Sequence, residues 1–544
     1  MLSALLVLFL AVVPTFSPPV DYTVKLAGNF GEPRPHHFHG GLDIKTDGVE
    51  GKHIYAIGDG YVSRLTTGLY GFGNAVYVTH PSGQTSIYCH LKRFSPRLER
   101  ILKQWRYAHE QYEADVHLSP LQCPVSTGQL IAISGNTGNS SAPHLHLEIH
   151  DTRTWHMLDP LEFLGDCIAD TVPPQLHAIK AYPQPGRGVF KGSLTISSLG
   201  HEVYLHQQEL PTAWGEVGFG IWASDYMQDS YNHFGLRETI LMVDGEEVFH
   251  SIVNRIPVEH NRQVNIWGDY HHWLHHHTWY MKMFREPGCR LSMLRTNEQR
   301  GIVVFNEERN YELELILRDY WGNELRRPFT VRGQRMEIPP REVRGRLLHH
   351  DRTNVVSAPG VQLVIPAGLL PDDADMQLRI VQQGELSPTA SFFAQSYPLA
   401  ADCQLSMAAH RQVKDPAKLY ITTSTSYNKY VGGAWKDGWV SAPVHDLGLS
   451  YTLAYDDQPP AIRPVSSAAP QLMVNIVDGG SGLRSMKGYI DGRFVLFEPV
   501  GRGANYRCLL SETPVRKTGQ THTLTIVATD NRNNTSKYQT KIQY

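Results

Sequence analysis

Two short stretches carry residue types that could do chemistry together: "HFHGGLDI", His37 to Ile44, and "PHLHLEI", Pro143 to Ile149, about a hundred residues apart. The first sets His39 and Asp43 four positions apart. The second sets His144 and His146 two apart. Side chains alternate along an extended strand, so His144, His146 and Glu148 would share one face while Leu145, Leu147 and Ile149 enter a core. Two imidazoles side by side are costly to bury unpaired and well suited to a metal. Gly40-Gly41 disfavours helix in the first stretch. A turn into the strand "LDIKT" is expected there, from which imidazole and carboxylate can converge on one ion. Zinc fits such a set, because catalytic zinc takes three N or O ligands and leaves a position for water. His39, Asp43 and one of the two strand histidines would be the ligands. The spare histidine would stand near the water, placed for proton transfer or oxyanion stabilisation. His90, in "YCHL" at the end of a hairpin strand, is a further candidate.

The surrounding elements read as short strands with Gly-rich turns. "HIYAIGDGYVSRL" and "NAVYVTHPSGQTSIYCHL" are expected strands, the second a hairpin turning at Pro81-Ser82-Gly83. "GNTGNSS" lacks the Lys-Ser/Thr ending of a phosphate loop and reads as a turn delivering the His-x-His strand. Ser95 to Asp115 breaks the β pattern. It has a Ser-Pro start and Leu98, Ile101, Leu102 and Trp105 at helical spacing, so it is expected to be an amphipathic helix, packing on the core or walling the cleft.

With 28 histidines in the chain, one His-x-His by itself carries little weight. The joint pattern carries more. The segments "HFHGGLDIKT", "GFGNAVYVTHPSGQTSIYCHL" and "GQLIAISGNTGNSSAPHLHLEI" resemble, in order, the LytM/lysostaphin-type zinc metallopeptidases (peptidase family M23), over about residues 27–165. The resemblance implies a LytM-like β-sheet catalytic domain in which His39, Asp43 and His146 bind zinc while His90 and His144 assist the water and the tetrahedral intermediate. It also implies hydrolysis of peptides within peptidoglycan. All five positions are filled, unlike in the silent regulators of the family. Cys89 stands where members often have a small residue, and the segment 95–115 is an addition to the minimal domain. The whole chain is similar to secreted multidomain forms of the Bacteroidetes, in which a β-rich tail follows the peptidase.

The rest of the chain bounds this reading. At 544 residues, three to five domains are expected. A net charge of −3 gives no basic surplus for nucleic acid. Leu2 to Val13 is an apolar run of about a dozen residues followed by Pro14, too short to span a bilayer and suited to a signal-peptide core, so residues 1–17 are read as a leader. The six cysteines are scattered singly; Cys123 and Cys167 could pair in an oxidising compartment. "DTVPPQL" from Asp170 and "DDQPPAI" from Asp456 read as linkers. The blocks behind them share Gly-Leu-Arg (from Gly235 and Gly482), then Asp-Gly at a hairpin turn, then "LRDYWGN" or "ATDNRNN" after a strand. These features in one order predict a repeated β-sandwich module. "DYHHWLHHHTWY", Asp269 to Tyr280, holds five histidines and reads as an aromatic-rich strand or loop rather than a second metal site.

The expectation is therefore a mainly β chain: a peptidase domain over 18–170, a β-sandwich module over 171–335, a β-rich module over 336–456 and an Ig-like sandwich over 457–544. Its function would be zinc-dependent cleavage of peptidoglycan cross-links in the periplasm or cell envelope after secretion, with the β modules docking on the wall or an envelope protein. No nucleic-acid partner and no membrane span after leader removal are expected. The alternatives are a silent activator of another wall hydrolase and a general protein endopeptidase.

Overall fold

Alternating apolar side chains build the N-terminal sheet. Seven antiparallel strands, β1 (Leu26–Gly28), β2 (Gly41–Lys45), β3 (Gly60–Thr67), β4 (Ala75–Thr79), β5 (Gln84–Cys89), β6 (Ala114–His117) and β7 (His144–Asp151), lie in the order β1-β2-β7-β5-β4-β3-β6. This is a computed structural model; it describes residues 16–544 except 200–201, 207–209, 229, 382–383, 425–428, 468 and 502, so the leader expected at 1–17 lies outside the described residues up to Phe16. Leu145, Leu147 and Ile149 of β7 are fully buried in one core with Leu42, Ile44 and Tyr88, as the alternation requires. β7 runs between β2 and β5. A Cβ on Gly41 would stand 2.1 Å from the Leu147 carbonyl oxygen, so the second glycine of "HGGLD" is what lets β2 and β7 close up.

The segment from Ser95 forms helix α1 (Pro96–His109). It is shorter than its sequence suggests, because Glu110 adopts a left-handed conformation (φ 50) and the chain turns into edge strand β6. Leu98 and Leu102 are buried in the core of the N-terminal domain, with Ile101 and Trp105 packed beside them. The opposite side of α1 meets the last module: Tyr107 packs edge-on against Phe494, Lys103 Nζ donates to the Glu512 carbonyl, and Tyr489 donates to Glu110 Oε2 at 2.9 Å. The helix is a docking platform, and none of its residues lines the cleft that holds His39, His90 and His146.

Three further groups of sheets follow. Residues 175–333 build a nine-stranded sheet around its own core, while the short strand Arg255–Ile256 joins the first sheet instead, pairing with Met157–Leu158. Two five-stranded sheets enclose a core between Leu348 and Leu453, and two four-stranded sheets enclose one between Leu472 and Ile542. The Asp-Gly turns behave as expected. Asp244-Gly245 and Asp491-Gly492 all have positive φ, the requirement of a two-residue type I′ hairpin. The histidine-rich stretch departs from its reading as strand or loop. It is a short helix, Tyr270–His276, because Asp269 caps it by accepting from the His272 N–H at 3.0 Å. All six cysteines are free thiols, Cys123 and Cys167 included. No helix among the described residues is long and apolar enough to cross a membrane.

Candidate metal centre

The β2–β7 register places His146 directly opposite Asp43, and the β7–β5 register places it opposite Cys89. His39 stands on the turn just before β2. The result is a triangle of ligand atoms: His39 Nε2 lies 3.0 Å from Asp43 Oδ1 and 2.9 Å from His146 Nδ1, and His146 Nδ1 lies 2.8 Å from Asp43 Oδ1. Each member is oriented from behind. His39 donates from Nδ1 to the Asn29 carbonyl at 2.6 Å, which turns the Nε2 lone pair inward. His146 donates from Nε2 to Glu148 Oε1 at 2.9 Å, which turns its Nδ1 inward. Arg34 donates to Asp43 Oδ2 at 2.7 Å, leaving Oδ1 for the triangle. A histidine whose outer nitrogen is tied to a carbonyl or carboxylate is the usual arrangement around a bound metal.

The electrostatics agree with the geometry. Burial pushes the Asp43 carboxyl up, but the His39 charge and hydrogen bonds from His144, His146 and His39 hold it well below the usual range. Burial lowers His146, yet its bonds to Asp43 and Glu148 and their charges carry it to about 9. A proton held on His146 thus puts positive charge beside the Asp43 carboxylate, the point at which a divalent metal would take its place among the three ligand atoms.

The other two sequence candidates flank the triangle. His144 Nε2 is 3.3 Å from Asp43 Oδ1, and its Nδ1 lies 2.8 Å from the Ala142 carbonyl oxygen. His90 ends β5 with a left-handed backbone (φ 59), which swings its ring to 4.9 Å from His144 and 5.7 Å from His146. Its Nδ1 donates to the Thr137 carbonyl at 2.8 Å. Thr137 belongs to "GNTGNSS", so that turn also aims His90. Gly138 (φ +70) is needed there, since a Cβ would fall 2.3 Å from the Gly73 nitrogen. All five sequence candidates therefore meet at one place. His39, His90 and His146 open into a cleft of about 610 Å³ lined also by Arg34, Phe72, Tyr77 and Trp155 and by Asn261 of the second module.

A profile of peptidase family M23 matches residues 37–106, which hold His39, Asp43 and His90. The N-terminal domain belongs to peptidase family M23. Separately, a Zu5-like domain profile matches residues 345–456. The M23 domain is 29% identical over 137 residues to the peptidoglycan DD-endopeptidase ShyA of Vibrio cholerae, covering 24% of this chain and 26% of that protein. It is 28% identical over 120 residues to an uncharacterized metalloprotease of Haemophilus influenzae, covering 22% and 19%. The chain thus spans about a quarter or less of the length of the curated relatives it matches. The catalytic domain of lysostaphin from Staphylococcus simulans is 24% identical, with a TM-score of 0.20, covering 26% of this chain and 92% of that one.

Sequence reasoning missed three supports of the M23 site. Arg34 was not singled out; its spacing nine residues before Asp43 has no periodic signal. Glu148 was placed on the right face but given no task. It links His146 to His150, whose Nε2 is 2.6 Å from Glu148 Oε2. Asn261 lies in another module altogether. Replacing Glu148 with Gln is expected to lower the affinity of the triad for a divalent metal about 10- to 100-fold. The neutral amide is a weaker acceptor for the His146 N–H. Competition with a chromophoric chelator measures the change; an unaltered affinity removes Glu148 from the metal's support.

Burial, and then the charges of His146 and His144, push His90 down to about 3. In the unfolded chain its pKa is about 6.5. The unfolded state therefore binds more protons between these values, and stability is lost as pH falls through 6.5. His146, raised instead, gives its full contribution below 6.5 and is flat in that window. For metal-free protein, the urea midpoint is expected to fall from pH 7 to pH 5. His90→Gln should remove about 2 kcal/mol of that fall.

Proposed function

We propose that the chain is a zinc-dependent endopeptidase that hydrolyses peptide cross-links of peptidoglycan, acting outside the cytoplasm. The observation that carries it is the His39–Asp43–His146 triangle, every outer atom of which is tied to an orienting partner. Zinc bound there would supply Lewis-acid polarisation of the scissile carbonyl and an acidified water. In this reading His39, Asp43 and His146 are the ligands, and His90 and His144 are the catalytic groups. With Nδ1 donating to Thr137, a neutral His90 presents Nε2 as proton acceptor, able to take a proton from the attacking water and pass it to the leaving amine. His144 stands beside the Asp43 carboxylate, and in this reading it is assigned to the developing oxyanion. The peptidoglycan substrate is supported by the likeness of the M23 domain to a DD-endopeptidase.

Export fits the apolar run at Leu2 to Val13, with one adjustment. Phe16 is buried, stacks on Phe163 and bonds its backbone N–H to the Phe163 carbonyl at 3.1 Å, so we place the cut ahead of Phe16 rather than after residue 17. The division at 170, 335 and 456 is kept as part of the proposal, with the later modules available to an envelope partner.

The test uses the full mature chain, loaded with one equivalent of zinc, on purified cross-linked muropeptide dimers. Conversion to monomers, lost on chelation and restored by zinc, is the expected result. Zinc binding without turnover on dimers or on casein would favour a silent activator. Casein cleavage alone would favour a general endopeptidase.

A further inference from the structure

Two acidic clusters, buried but for the half-buried Asp478, lie apart from the candidate metal centre, and they are built alike. Asp170, Asp225 and Asp319 bring carboxylate oxygens within 4.8 Å of one another; so do Asp456, Asp478 and Asp530. The correspondence is residue by residue. Asp170 and Asp456 each open a linker Asp-x-x-Pro-Pro and accept from the N–H two residues on, Val172 at 3.1 Å and Gln458 at 3.2 Å. Asp319 and Asp530 each sit four residues before an asparagine. Asn323 Nδ2 donates to Asp319 Oδ2 at 2.6 Å and to the Asp170 carbonyl at 3.2 Å. Asn534 Nδ2 donates to Asp530 Oδ2 at 2.7 Å and to the Asp456 carbonyl at 2.9 Å. Asp225 and Asp478 precede the Gly-Leu-Arg of their modules by ten and four residues.

The clusters are not balanced by protein cations. Among the described residues no Lys, Arg or His forms an ion pair with any of the six aspartates. Asp170 and Asp225 are 5% and 3% exposed, yet Asp170 Oδ2 and Asp225 Oδ1 have no hydrogen-bond partner. At the second cluster the orphan comes from outside the acidic set. The Ser481 hydroxyl is buried without a partner, in a residue whose backbone N–H donates to Asp456 Oδ2 at 2.7 Å. Buried carboxylates without a countercharge are expensive, and orphaned acceptor oxygens deepen the cost. A cation at the centre of each group would offset its charge, and in the first it would also give the two orphaned oxygens a partner.

We propose that Asp170, Asp225 and Asp319, and separately Asp456, Asp478 and Asp530, form two calcium sites, one at the N-terminal joint of each repeated β module. The donor sets are all oxygen, which selects a hard cation over zinc or copper. Oxygens at 2.3–2.6 Å from calcium lie up to about 5 Å apart, the spread seen here. A dry, protein-supplied cage suits calcium better than magnesium, which keeps several of its waters. Each site binds the first residue of a linker to two loops of the module behind it. Occupancy therefore fixes how the first module meets the peptidase domain and how the last module meets the Zu5-like one.

The experiment takes the full chain, strips it on chelating resin, restores one equivalent of zinc, and adds calcium chloride. Bound calcium is counted by equilibrium dialysis and elemental analysis, and Tm is followed. Wild type is expected to bind two calcium ions and to gain several degrees in Tm. Asp225→Asn and Asp478→Asn should each bind one, and the double variant none, with its zinc content unchanged and no Tm response to calcium. Asparagine keeps the shape while removing charge, so calcium-free Tm of the variants should match or exceed that of wild type, which separates lost binding from misfolding. Absence of calcium from wild type, a calcium count indifferent to both substitutions, or equal response to magnesium at the same concentration overturns the assignment.

Discussion

Replacing His146 with alanine is expected to remove the bound zinc and to lower kcat/KM on cross-linked dimers by at least about 10³-fold, the equivalent of roughly 4 kcal/mol of transition-state stabilisation. The reason is positional. His146 closes the triangle, 2.8 Å from Asp43 Oδ1 and 2.9 Å from His39 Nε2, and it also carries the link to Glu148. Its loss opens the metal triangle and leaves a buried carboxylate short of one donor. His144→Ala makes the informative contrast. His144 lies on the same face of β7 but outside the triangle, so that variant should retain zinc and lose about 10²- to 10³-fold in kcat, as removal of a proton-transfer or oxyanion group does. If His144→Ala released the metal while His146→Ala kept it, the assignment of the two histidines would be reversed.

The distinction between those two histidines shows where sequence reading reaches and where it stops. Strand alternation alone put His144, His146 and Glu148 on one face and their apolar neighbours in the core. It left open which histidine meets Asp43. That choice is made by the β2–β7 register, a long-range pairing that no local period encodes. His90 was legible as a residue at a strand end, but its left-handed backbone, which aims the ring, was not. The amphipathic pattern of α1 was visible, and its core-facing side followed from it. Its other side was opaque, because its partners Phe494 and Glu512 lie nearly four hundred residues later. The Asp-Gly hairpins, by contrast, were readable from turn residues, since a two-residue turn with positive φ has a local physical cause.

The largest consequence hidden from the sequence concerns the border at residue 170. A chain ending there, residues 16–170, is expected to be insoluble or molten, whereas residues 16–335 should fold and bind zinc. Phe30, Phe38 and Met157 belong to the M23 domain by chain position, but they are buried in the core of the second module with Trp267, Val253 and Ile256. Phe38 lies one residue before His39. Its N–H donates to Asn261 at 2.7 Å, and the His36 N–H donates to Asn265 at 3.1 Å. Arg237 reaches back to Asp159 and Glu162, each at 2.6 Å. Exposing three such apolar side chains costs about 5–9 kcal/mol, as much as the whole net stability of many domains. The loop that carries the first metal ligand would lose its outer wall at the same time. Near-UV circular dichroism and zinc content of the two truncations decide the matter. A cooperative melt and one bound zinc in residues 16–170 would mean that the M23 domain stands alone and that the second module only covers it. A folded 16–335 beside a collapsed 16–170 would mean that the peptidase fold is completed by the module behind it.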